Sequence, residues 1–87
     1  MIVSLETAKS YLRVDFSDDD PLIEQFIVMA EQLCADTLRK ELTATSLNTV
    51  AVLYAVAYLY EHREDADMNI LTRNVRYILM TEREAAF

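Results

Sequence analysis

The chain has 87 residues and a mass of 10.0 kDa, which allows one small domain, since domains usually hold roughly 100–200 residues. It is 53% hydrophobic, has no glycine, and carries a net charge of −7 from 8 basic and 15 acidic residues. Phosphate-cradling loops need glycine for positive φ or close backbone approach, so nucleotide-binding enzymes are excluded. The negative charge argues against coating nucleic acid, whose affinity for proteins comes mainly from Lys and Arg on phosphates.

The opening MIVSLETAKSYL carries Glu6 where a secretory leader has basic and then apolar residues, and no stretch is long enough to span a bilayer. An intracellular, soluble protein is expected, and the single cysteine, Cys34, fits a reducing compartment. So small a domain buries only about 60–65% of its unfolded surface, so part of the apolar surplus is expected at an interface.

In chain order, Leu5, Ala8 and Leu12 form one apolar stripe after a capping Ser4, which predicts a short helix over 5–12. Asp18, Asp19 and Asp20 before Pro21 predict a second helix start, with the aspartates capping it and offsetting its dipole. Leu22, Ile23, Phe26, Ile27, Ala30, Leu33, Cys34, Thr37 and Leu38 then recur at helical spacing, giving a helix over 21–40 with Glu24, Gln25, Glu31, Gln32, Asp36 and Arg39 on the opposite arc. Thr45 or Ser46 can cap a third helix over 47–64. It contains eleven consecutive apolar residues, Val50 to Tyr60, and must be covered all round, either as the centre of a bundle or by another chain. Asn69 can cap a fourth helix over 70–84, with Leu71, Val75, Ile78 and Leu79 inward and Arg73, Arg76 and Arg83 together on another side. The expected fold is all-α: a single domain of about four helices joined by short loops, without strands, repeats or linkers.

No constellation for catalysis stands out. Consecutive aspartates point in different directions and lack the alternation of a calcium loop. His62 is the only histidine, without the further partners that metal sites and triads require, and reads as a helix-end residue. Cys34 on an apolar arc reads as a small buried hydrophobe. Catalytic, cofactor-binding and metal residues are therefore all assigned as none. Charge is uneven, with five basic and thirteen acidic groups in residues 1–68 against three basic and two acidic in 69–87. The arginine-bearing last helix, with Arg73, Arg76 and Arg83, is the candidate docking surface. Val56, Tyr60 and Arg63 of the third helix are added as candidate contact residues.

Three segments carry a resemblance: SLETAKSYLRVDFSDDDPLIEQFIVMAEQ, AVLYAVAYLYEHRED and NVRYILMTER. In that order and spacing they resemble the small head-tail connector (adaptor) proteins of tailed phages and prophages, also known as DNA-packaging connectors. The first segment is similar to the family's short helix, YLR turn, acidic run and long amphipathic helix. The second is similar to its apolar helix ending in Tyr60-Glu61-His62-Arg63-Glu64, and the third to its closing helix ending in an arginine, here Arg83. Unlike in many relatives, the connections before helices three and four are short and lack glycine and proline.

The resemblance implies a non-enzymatic structural subunit of a ring beneath the portal, with about twelve copies if the ring follows portal symmetry. Its implied partners are further copies of itself, the portal protein and the next connector or tail protein, with DNA only passing through the lumen and no membrane involved. The implied location is the head–tail interface of the virion, and the host cytoplasm during assembly. The alternative weighed from the acidic composition is a small phage-encoded inhibitor or DNA mimic that binds a host protein. Such a mimic needs carboxylates spread at phosphate-like spacing, whereas here they cluster around 18–20 and 61–67.

Overall fold

A computed structural model describes the backbone of residues 2–39 and 42–85 and the side chains as far as Met80. It contains four helices: α1 (Leu5–Leu12), α2 (Asp20–Leu38), α3 (Ser46–Glu61) and α4 (Met68–Ala85). The all-α expectation is met, with no strand among the described residues.

Local chemistry sets the helix ends. Ser4 Oγ accepts from the Thr7 N–H at 3.1 Å, and Thr45 Oγ1 accepts from the Asn48 N–H at 3.1 Å, so two orphan donors are satisfied at the starts of α1 and α3. With no glycine in the chain, arginines occupy the left-handed positions after α1 and α2, Arg13 at φ 61° and Arg39 at φ 58°. At Arg13 the closing bonds are Arg13 N–H to the Ser10 carbonyl (3.2 Å) and Val14 N–H to the Lys9 carbonyl (2.9 Å), and Val14 folds back into the core. Arg39 ends α2 at Leu38, two residues before the expected limit.

Two further expectations are corrected. Helix α3 stops at Glu61 instead of residue 64, because His62 leaves helical geometry (φ −119°, ψ 35°) and a turn follows. Helix α4 starts at Met68 and is capped by Asp67, not Asn69: the Asp67 carboxylate accepts from the N–H groups of Asn69 (3.0 Å) and Ile70 (3.2 Å).

Most of the apolar run of α3 is covered inside the subunit, and Val50 at its start stays 53% exposed. This helix packs against α1, α2 and α4, while α2 also touches α1 and α4. Ala51, Val52, Ala55 and Val56 are fully buried, and the two alanines let the neighbouring helices approach closely. Ile23, Ile27 and Cys34 of α2 and Leu71, Val75 and Leu79 of α4 complete the core. Val56 has 0% exposure, so its expected place at a partner contact is corrected: a side chain with no free surface has nothing to offer a second chain.

Three polar contacts tie distant parts of the chain to this core. Glu31 accepts from the N–H groups of Ile2 (2.8 Å) and Val3 (3.1 Å), which fastens the segment before α1 to the middle of α2. Asp20 pairs with Lys9 at 2.8 Å, and Asp19 accepts from the Tyr60 hydroxyl at 2.7 Å. Asp19 occupies the N-cap position of α2 but makes no side-chain capping bond there. Two of the three aspartates read as helix caps thus serve as links between helices.

Candidate assembly surface

On α4, the apolar side chains Leu71, Val75 and Leu79 recur every four residues and turn one stripe into the core. A second stripe, advancing by three or four residues, carries Ile70, Arg73, Tyr77 and Met80 outward, with Arg76 beside it. Tyr77 is 65% exposed, Ile70 39% and Met80 36%. Between Met68 and Thr81 the sequence has two arginines and no acidic residue. Outward α4 therefore combines exposed apolar side chains with two arginines, of which Arg76 shares a groove with Asp36 of α2.

The outward face of α2 has the opposite character. Pro21, Glu24, Gln25, Val28 and Gln32 succeed one another at helical spacing and are all exposed, with Met29 at the margin. Val28 is 59% and Met29 47% exposed, and the segment between Arg13 and Arg39 has no basic residue. A shallow apolar depression runs along this face, bordered by Pro21, Leu22, Val28 and Met29.

Of the residues expected at a partner contact, Arg73 and Arg76 are exposed together on α4, and Val56 is in the core. Arg83 belongs to α4, but its side chain lies outside the described residues. Tyr60 and Arg63 are engaged within the subunit. The Arg63 guanidinium lies 4.8 Å from the centre of the Tyr60 ring and 3.5 Å from the Asp19 carboxylate that also binds the Tyr60 hydroxyl. The hydrogen bond to Asp19 holds the Tyr60 phenol above its ordinary pKa of 10.0, with desolvation and the Asp19 charge acting in the same direction and Arg63 against them. This triad joins the α1–α2 turn to the end of α3.

The remaining aromatic groups near that corner are similarly occupied. The Tyr58 hydroxyl accepts from the Asp67 N–H at 3.0 Å, and the His62 ring stacks on Tyr58 with centroids 4.3 Å apart. Tyr54 accepts from the Asn74 amide at 2.7 Å, which links α3 to α4. Among the described residues no group of three or more His, Cys, Asp or Glu side chains is placed to hold a metal ion, and no helix is long and apolar enough to cross a membrane.

The exposed apolar side chains of α2 and α4 were not singled out from the sequence. Ile70, Tyr77 and Met80 share the arginine stripe by simple helical arithmetic. Val28 and Met29 fall on the arc of α2 that Glu24, Gln25 and Gln32 mark as polar. An apolar side chain on a polar arc was the available signal.

The described surface of this small helical body is marked by exposed apolar side chains on α2 and α4 and by the arginines of α4. The family model for the phage gp6-like head-tail connector protein matches residues 2–82, and the chain belongs to that family. Membership marks it as a structural component that assembles with other phage proteins where head meets tail. No curated protein and no solved structure matches the chain.

Proposed function

We propose that the chain is one subunit of a ring that binds beneath the portal, continues the DNA channel, and receives the next connector or tail component. The family match over residues 2–82 carries this reading. Two differently composed exposed faces per subunit are what a closed ring of heterologous contacts requires. The net charge of −7 suits a conduit, because a surface poor in Lys and Arg makes few phosphate contacts and lets DNA slide. The outward face of α4, with Arg73 and Arg76, is an assembly contact in this reading, and Arg83 continues the same helix.

The DNA-mimic reading loses ground on geometry. Asp19 and Asp20 are held in contacts within the subunit, which removes two carboxylates from any phosphate-like array. Cryo-EM of the purified protein mixed with its cognate portal-bearing heads tests the proposal. The expected result is a closed ring of density coaxial with the portal. Portals that stay bare at saturating protein concentration refute it.

A further inference from the structure

We infer that the outward face of α4 in one subunit docks on the outward face of α2 in a second copy of the same chain. The inference rests on the ring reading above and assigns the two faces that meet. Charge complementarity selects the occupant. The α4 face presents Arg73 and Arg76 with no acidic residue between Met68 and Thr81, whereas the α2 face presents Glu24 with no basic residue between Arg13 and Arg39. Each face also carries exposed apolar side chains, Tyr77 and Met80 on α4 and Val28 and Met29 on α2, which supply the dehydrated centre that paired charges alone do not.

Two α4 faces set against each other would oppose arginine to arginine, and two α2 faces would oppose Glu24 to Glu24. Like charges across a contact disfavour both symmetric pairings. The remaining arrangement is head-to-tail, in which every subunit uses α4 toward one neighbour and α2 toward the other. Repetition of that contact generates a ring when the rotation closes.

A charge-exchange experiment tests the assignment. Arg73→Glu with Arg76→Glu makes both faces acidic, and Glu24→Lys with Gln25→Lys makes both basic. All four positions are exposed, so helix content by circular dichroism should match wild type for each variant. Sedimentation velocity is read on wild type, each double variant, their equimolar mixture, and the quadruple variant, all in the presence of cognate portal. The expected result is that each double variant alone fails to assemble. The mixture should recover assembly as alternating subunits, and the quadruple variant should recover it alone. Wild-type assembly with unimpaired double variants, or with no recovery in the mixture and in the quadruple variant, overturns this pairing while the ring stands. Failure of wild type to assemble at all overturns the ring reading and this inference together.

Discussion

Cys34 lies on the inward side of α2 with no exposed surface, and burial followed by the negative charge of Glu31 pushes its thiol up from 9.0 to about 11. At pH 8 a thiol with that pKa is thiolate in only about one molecule in a thousand, against about one in ten for the unfolded chain. Native protein is therefore expected to react with a disulfide reagent at least about 100-fold more slowly than protein in denaturant, which a thiol titration at pH 8 measures. Because the folded state holds the proton more tightly, the stabilisation is fully present below pH 9 and is lost as pH rises through about 11. Glu31 supports a second prediction at this scale. It accepts two backbone N–H groups from Ile2 and Val3, and Glu31→Ala leaves both without that partner. The expected loss is about 1.5–3 kcal/mol, seen as a lower denaturation midpoint and faster amide exchange at residues 2 and 3. The inward position of Cys34 was legible from spacing. The Glu31 contact was not, because it joins residues 28 and 29 apart and helical arithmetic carries no distance information between elements.

At the scale of elements, the helices were legible from periodicity and their ends unevenly, since Asp67 and not the expected Asn69 caps α4. Ser4 is the expected cap of α1 and Thr45 one of the two expected for α3, and α1 ends at Leu12 as the spacing predicts, whereas the end of α2 carries no glycine to announce it. The chain adopts the left-handed conformation at Arg13, where a side chain costs roughly 1–2 kcal/mol relative to glycine. Arg13 is exposed, so Arg13→Gly removes that strain without opening the core. The gain, partly offset by the greater freedom of glycine in the unfolded chain, should be about 0.5–1 kcal/mol, or a rise of a few degrees in Tm. Arg13→Ala should not reproduce it, since alanine keeps the Cβ. Helix α3 makes the opposite demand. Its apolar character on all sides was evident in the sequence, but whether a neighbouring helix or a neighbouring subunit covers it depends on three-dimensional packing, and three helices of its own cover most of it while Val50 stays exposed. Val56→Asp places a carboxylate in a fully buried position at a cost of several kcal/mol, comparable to the whole stability of so small a domain. Loss of the cooperative melting transition is expected, and a variant that melts like wild type would contradict the packing described.

For the whole molecule, attraction between opposed faces competes with repulsion between copies that each carry −7. The subunit measures 44 × 25 × 18 Å, so the centres of neighbouring copies lie at least about two screening lengths apart at 0.15 M salt, where that length is about 8 Å. Net repulsion is then largely screened, while Arg73 and Arg76 set against Glu24 across a contact sit within one screening length and still attract. At 0.01 M salt the length grows to about 30 Å, and the full charges of neighbouring subunits act on one another. At 1 M it shrinks to about 3 Å and the paired faces also lose their attraction. Assembly should therefore be strongest near physiological salt and weaker on both sides, a profile that sedimentation of wild type across this range measures directly. Neutralising the α4 charges with Arg73→Gln and Arg76→Gln should remove the high-salt decline, because a contact held only by Val28, Met29, Tyr77 and Met80 strengthens as salt rises. A wild-type profile that climbs steadily to 1 M would mean that the apolar side chains alone hold the subunits together and that the arginines serve a different neighbour.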